Sequence, residues 1–364
     1  MRVVRGFNAL KRPPTRAVVT IGMFDGVHVA HQRLIQTIER LAKRLRGTSV
    51  VITFDPDPHQ VLDPRHAPAP LMSLEERLGL IRTLGVDLVW ILSFTTQFSR
   101  TSPERFVRTI LLQRLHASCI VVGEPFAFGK DRRGNLRLLQ TLGRQHRMRV
   151  VALPPVLRDG QPVSSSRIRQ LIQAGKIHEA RQLLGRPFEL CGTVVRGQAR
   201  ARTFGFPTAN VRLTNALLPP RGVYTVLLSA EGGCASGAES ACLPSGSRGR
   251  QARRRWPGIM NLGLRPTFLP RTNFPRRYGY ENRHVSSTTR LSTDLRLGRK
   301  LVRGGPGPLV CEVHLLGFNG NLYGRKVAIG LLKRLRAERQ FASPQALIRQ
   351  ITRDVAHARR ALAR

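Results

Sequence analysis

Acidic residues are scarce in this chain: 21 Asp+Glu stand against 61 Lys+Arg in 364 residues, a formal charge of +40. Aromatics make up only 6%. They form no RNP-like pattern, and there is no zinc-finger spacing or single basic helix, so the charge specifies no nucleic-acid site. A field of that sign still attracts polyanions, which leaves non-specific nucleic-acid binding open as a rival reading. An arginine-biased genome would give the same composition. Cysteine is sparse as well: Cys119, Cys191, Cys234, Cys242 and Cys311 are scattered without a CxxC pair. That argues against a zinc site and a disulfide framework and fits reduced thiols in a cytoplasm. No apolar run approaches the ~20 residues of a membrane span, and the basic N-terminus lacks the apolar stretch of a secretory signal.

What is present suffices for two cores. Hydrophobic content is 41%, and a chain of this length accommodates two domains. Strand-like runs at Ala17–Ile21, Ser49–Phe54, Leu88–Leu92, Cys119–Val122 and Arg149–Leu153 alternate with helical patterns at Gln32–Leu45, Leu74–Leu84 and Pro103–Leu115. Such alternation predicts an α/β domain with a doubly wound parallel sheet over 1–186. Beyond Pro187 the texture changes to short β-prone runs, Glu189–Val195, Val223–Leu228, Ile259–Leu262 and Val310–Leu316. These predict a small antiparallel barrel or sandwich over 187–364. A helical pattern is expected from Val327 to the end, broken at Ser343-Pro344. Two polar, Arg-rich stretches, 232–257 and 269–309, read as flexible insertions; the second falls inside the barrel and threatens its closure.

Residues 20–31, Thr-Ile-Gly-Met-Phe-Asp-Gly-Val-His-Val-Ala-His, carry the most chemistry. An apolar strand leads into a turn bracketed by Gly22 and Gly26, and an amphipathic helix follows with His28 and His31 at its start. Free amides and the helix dipole favour anions there, and imidazoles add donors for phosphate oxygens. Metal ligation by the two histidines lacks a third ligand at matching spacing. Three further loops follow predicted strands or open a helix. Phe54-Asp55-Pro56-Asp57-Pro58 makes a rigid exit from a strand. Gly123-Glu124-Pro125-Phe126-Ala127-Phe128 offers aromatic faces beside glycine. Ser164-Ser165-Ser166-Arg167-Ile168-Arg169 caps a helix whose start can hold phosphate. In the second half, Gly205-Phe206-Pro207-Thr208-Ala209-Asn210 places a hydroxyl and an amide two residues apart on a Pro-stiffened turn, suited to Mg²⁺ and a triphosphate oxygen. Glu312 is a carboxylate in an otherwise apolar strand, either solvent-facing, paired or functional.

These segments resemble, in order, the signatures of the bacterial bifunctional riboflavin kinase/FAD synthetases. Residues 22–31 are similar to the G-x-F-D-G-x-H-x-G-H motif of the nucleotidyltransferase superfamily. Residues 205–210 match G-x-P-T-A-N, and 261–268, 312–324 and 336–341 resemble N-I-G-x-R-P-T-F, E-x-H-L-L…D-L-Y-G and R-x-E-x-x-F. The resemblance implies ATP, riboflavin, FMN and FAD as ligands, with Mg²⁺ alongside ATP. It assigns Gly22, Phe24, Asp25, Gly26, Ser165, Ser166 and Arg169 to one ATP site, with His28 and His31 catalytic. Gly205, Pro207, Thr208 and Asn210 would form the other, Thr208 and Asn210 serving the metal. Phe54, Pro56, Phe126, Phe128 and Arg265 would meet flavin, and Glu312 would deprotonate the ribityl hydroxyl. Met23, Ala30 and Pro125 stand where the family commonly has Asn, Gly and Asp or Asn. These departures predict weaker FAD than FMN synthesis, and leave open a kinase with a degenerate first site.

Overall fold

A computed structural model describes residues 1–197, 206–230, 255–264 and 309–362. Strands β1 (Arg2–Arg5), β2 (Val18–Ile21), β3 (Ser49–Phe54), β4 (Leu88–Leu92), β5 (Cys119–Gly123) and β6 (Arg149–Leu153) form one parallel sheet in the order β1-β4-β3-β2-β5-β6. Alternation along each strand sends neighbours to opposite layers. Val19, Val50, Ile52, Trp90 and Val122 join the core on one face, while Val18, Val51, Val89, Ile91 and Val121 join that on the other. Helices α1 (Val29–Leu45) and α2 (Leu74–Thr83) supply Ile35, Ile38, Ala42 and Ile81 to the second layer. The segment Pro103–Phe106, continued by the π-helical Val107–Arg114, and α3 (Leu136–Gln145) cover the first. The sheet is doubly wound, as expected. The edge strand β1, with only four residues, gave no periodicity to read.

Two helices, α4 (Ser165–Gln173) and α5 (Ile177–Leu184), lead out of this domain, and Gly185 closes α5 at φ +70°. The chain then builds β7 (Phe188–Val195), β8 (Thr208–Leu213), β9 (Gly222–Ala230), β10 (Arg255–Leu264), β11 (Leu309–Leu315) and β12 (Lys326–Ala337). They close an antiparallel barrel in the order β7-β8-β11-β10-β9-β12. Leu190, Val211, Tyr224, Met260, Val313 and Ile329 fill it, and α6 (Pro344–Leu362) packs outside through Ala358 against Val223 and Ile259.

Four sequence expectations are corrected. Residues 326–337 form a strand, not a helix: Val327, Ile329 and Leu331 alternate into the core, and pairing with both β7 and β9 outweighs their helical spacing. Arg255, Trp256 and Pro257, assigned to an insertion, begin β10, and Leu309 begins β11; the remainder of both stretches lies outside the described residues. The barrel closes despite the second stretch. Thr208 and Asn210 stand at the start of β8 and not in a turn.

Candidate active sites

In the parallel sheet, β3 and β4 lie to one side of β2 and β5 to the other, so the crevice beyond the carboxyl ends of β2 and β5 is the topological switch point. The turn at 22–28 fills that position. It is wound tightly: Phe24, Gly26 and Val27 all have positive φ, at 53°, 80° and 38°. A Cβ on Gly26 would sit 2.6 Å from Leu71 Cδ1, so glycine is required both for conformation and for space. The left-handed Phe24 and Val27 were not foreseen; for a β-branched residue that conformation is strained.

Buried polar partners hold the turn. Asp25, 4% exposed, accepts from the Leu71 amide at 3.0 Å and from Arg169 Nη2 at 2.7 Å. Arg169 Nε donates to the Ala69 carbonyl at 2.8 Å, and Ser165 Oγ donates to the Asp25 carbonyl at 2.8 Å. Burial raises the Asp25 pKa more than these donors and the neighbouring Arg169 and Arg77 lower it. Thus Asp25 and Arg169, expected among the phosphate ligands, bind each other and lock the loop. Ser164 caps α4 by accepting from the Arg167 amide at 3.2 Å, and Ser166 is exposed in the first turn of the same helix.

His28 is the N-cap of α1, its Nδ1 accepting from the His31 amide at 3.4 Å. With Nδ1 an acceptor, the proton of the neutral ring resides on Nε2. The two imidazoles stack, centroids 3.6 Å apart, and Phe24 meets His31 edge-on at 5.2 Å. Desolvation first, then the Arg186 charge, pushes His28 down to about 4. Desolvation, then His28 and Arg77, holds His31 well below its ordinary value. Both are neutral donors at physiological pH. Among the described residues no group of three His, Cys, Asp or Glu side chains gathers to hold a metal.

Beside this locus the expected flavin residues are linked by aromatics the sequence reading missed. Phe54 meets Phe94 at 5.6 Å and Phe98 at 5.9 Å; Phe98 meets Phe106, Phe106 meets Phe128, and Phe128 stacks on Phe126 at 5.3 Å. Pro56 follows at the exit of β3. Phe94 and Phe98 come just after the carboxyl end of β4, where ligand-facing residues of such sheets lie, and that placement was the signal available. Arg77 was also missed: it occupies the apolar stripe of α2, between Leu74 and Ile81, and is 7% exposed.

On the barrel, Asn210, Glu312 and Asn261 are directly opposite one another across β8, β11 and β10. Cys311 and Val313 point inward, which turns Glu312 outward with the two amides. Thr208 lies two residues before Asn210 on the same face, opposite His314, whose ring contacts the Pro207 carbonyl at 2.9 Å. A Cβ on Gly197 would collide with the Asn210 amide, so this glycine keeps the space beside it. Burial raises the Glu312 pKa. Gly205 and Arg265 lie outside the described residues.

The family model for FAD synthetase matches residues 10–167, and that for riboflavin kinase matches residues 184–362. A bifunctional riboflavin kinase/FMN adenylyltransferase of Pseudomonas fluorescens is 34% identical over 359 residues, covering 99% of this chain and 97% of its own. That of Escherichia coli K12 is 31% identical over 360 residues with the same coverage. A crystal structure described as a macrolide-efflux protein from Streptococcus pneumoniae superposes with a TM-score of 0.75 at 26% identity, covering 98% of both chains. No helix among the described residues is long and apolar enough to cross a membrane. With two domain models in tandem and relatives matched end to end, the chain belongs to the bifunctional riboflavin kinase/FMN adenylyltransferase family.

Proposed function

We propose that the barrel transfers the γ-phosphoryl group of ATP to riboflavin, giving FMN and ADP, and that the parallel-sheet domain transfers AMP from ATP to FMN, giving FAD and pyrophosphate. The observation that carries this reading is the full-length match to relatives of that name, with a polar locus in each of the two domains.

At the barrel, the hydroxyl of riboflavin must lose a proton as its oxygen attacks phosphorus. Glu312 is the base: burial raises its proton affinity, and the row with Asn210 and Asn261 fixes its place. The Thr208 hydroxyl and the Asn210 amide oxygen are hard oxygen donors that fit Mg²⁺, and Gly197 leaves room beside Asn210. When bound with ATP, Mg²⁺ supplies charge neutralisation at the phosphates. Arg265 would meet the flavin.

At the switch point FMN brings an ionised phosphate, so no strong base is required. The task is alignment and stabilisation of crowded negative charge. His28 Nε2–H, His31, the amides of the first turn of α1, and the start of α4 with Ser166 supply donors. Gly22, Phe24 and Gly26 shape the loop, while Asp25, Ser165 and Arg169 hold it. Phe54, Pro56, Phe126 and Phe128 would take the isoalloxazine ring.

Ala30 lies within α1 without positive φ, so its methyl costs no backbone strain, and Met23 meets Arg77 through its carbonyl. Pro125 still lacks an N–H, which supports slower FAD than FMN synthesis. A cytoplasmic location fits the buried reduced thiols of Cys119 and Cys311. Incubation with Mg-ATP and either riboflavin or FMN, followed by chromatography of the flavins, tests both steps. FMN from the first and FAD from the second are expected; RNA binding without either product would favour the polyanion-binding alternative.

A further inference from the structure

Arg77 belongs to none of the motifs above, yet its guanidinium is buried beside the His28–His31 pair. Its Nη1 donates to the Met23 carbonyl at 2.8 Å and to Thr53 Oγ1 at 3.3 Å, and Thr53 Oγ1 is 3.4 Å from the same carbonyl. Nε is sealed from solvent with no acceptor among the described residues. Burying a cation with so few acceptors is costly, and an apolar side chain at this point of α2 would satisfy the core equally well. The carboxylates of Asp25, Asp55, Asp57 and Glu75 act on the charge, but none of them bonds to it. What Arg77 does hold is the Met23 carbonyl near the start of the turn, joining α2, the end of β3 and the loop that presents both histidines.

We infer that Arg77 is a positioning residue for adenylyl transfer: it clamps the Met23 carbonyl so that the strained 22–28 turn presents His28 and His31 to the nucleotide phosphates. The clamp acts at one end of the turn, and the Asp25–Arg169 pair acts at the centre. Gln32 secures the far end, its Nε2 donating to the Val27 carbonyl at 2.8 Å and to the Leu184 carbonyl at 3.0 Å. A loop held in left-handed conformations at Phe24 and Val27 requires such external ties, because its own backbone preferences would relax it. The charge has a second effect. Facing His31 are His28 from its own turn and Arg77 from α2, and both disfavour its protonation; Arg186 does the same to His28. Arg77 therefore also helps keep His31 in the neutral form.

This inference rests on the adenylyltransferase reading, and the test separates the two. FAD formation from FMN and Mg-ATP is measured across pH for the wild type, Arg77→Met and Arg77→Lys, with FMN formation from riboflavin in the same full-length preparations as the folding control. Arg77→Met fills the space without a donor or charge. It is expected to lower kcat for FAD by about 100-fold, the scale of a misplaced site, with FMN formation within about twofold. Arg77→Lys, one donor and the charge retained, recovers about tenfold of that loss. In Arg77→Met the acid limb of FAD formation moves to higher pH, because a cation beside His31 is gone. FAD formation within threefold of wild type in Arg77→Met overturns the inference. So does a loss that Arg77→Lys does not rescue with the acid limb unmoved, since that is packing alone. If Arg77→Met loses FMN formation too, Thr53→Val, which removes only the companion hydroxyl, decides: an unchanged kcat for FAD then overturns the clamp, and a drop with FMN formation intact supports it. Absence of FAD from the wild type overturns the adenylyltransferase reading itself, and the role of Arg77 with it.

Discussion

Replacing Glu312 by Gln removes one negative charge and leaves the side chain's shape between Asn210 and Asn261 intact. The barrel core is undisturbed, because Cys311 and Val313 carry the inward face of β11 and Glu312 does not. The magnitude then follows from the base alone. A positioned general base contributes about 10²–10⁴ in rate, or about 2.7–5.4 kcal/mol in the barrier. Glu312→Gln is expected to slow FMN formation by that factor with KM for riboflavin and ATP within about threefold, the signature of an interaction made in the transition state. The pH dependence has a definite sign. Burial raises the Glu312 pKa, so the competent carboxylate is lost as pH falls through a value above the ordinary Glu figure of about 4.3. Wild-type FMN formation should therefore show an acid limb above that point, and Glu312→Gln should lack it. Initial rates by flavin chromatography between about pH 5 and pH 9 measure both. FMN formation within threefold of wild type in Glu312→Gln, or an acid limb that survives the substitution, refutes the assignment. FAD formation from supplied FMN is the control and should not change.

Four further outcomes are expected. His28→Asn preserves the helix cap, since Asn is among the best N-cap residues, so the melting temperature should hold while FAD formation falls about 10²-fold or more; an active His28→Asn would reduce His28 to a cap. Asp25→Asn leaves Arg169 buried and uncompensated, with side-chain exposures of 6% and 14% in the pair. Breaking such a pair costs about 3–5 kcal/mol, which at about 2–4 °C per kcal/mol should lower Tm by roughly 6–20 °C in thermal unfolding, and a shift below 2 °C would contradict the lock. Chelation with EDTA should abolish both activities. Asn210→Ala should abolish FMN formation and spare FAD formation, as read by the same chromatography.

Much of this was legible in the sequence, and the failures have physical causes. Five strands of the parallel sheet show as apolar runs because both faces are covered, whereas the four-residue β1 is too short for any pattern. Residues 326–337 read as a helix because Val327, Leu331 and Leu335 also fit a helical stripe. Only pairing to β7 and β9, contacts far away in sequence, makes them a strand. The His28–His31 turn was found from its glycines, but the ion pair of Asp25 with Arg169 spans 144 positions and leaves no local trace. The fold thus gives two charges that the sequence offered as ligands a bracing contact with each other. Arg77 and the Phe94–Phe98–Phe106 relay were hidden for the opposite reason, since each looks like ordinary helix or loop composition until the fold brings them to the strand ends.

Residues 186 and 187 divide the chain by texture, yet the oil beneath them is undivided. Leu71, Ile168, Ile172, Ala180 and Leu184 from the first half lie in one continuous cluster with Leu190, Met260 and Ile329 of the barrel. Cys191 Sγ reaches across the seam to Glu76 Oε1 at 2.6 Å. Severing the chain there would hand α4 and α5 to one fragment and strip the other of its wall, so each piece would meet water with a raw apolar flank. The two catalysts are thus welded and not merely strung together, so a cut at this seam would destabilise both halves.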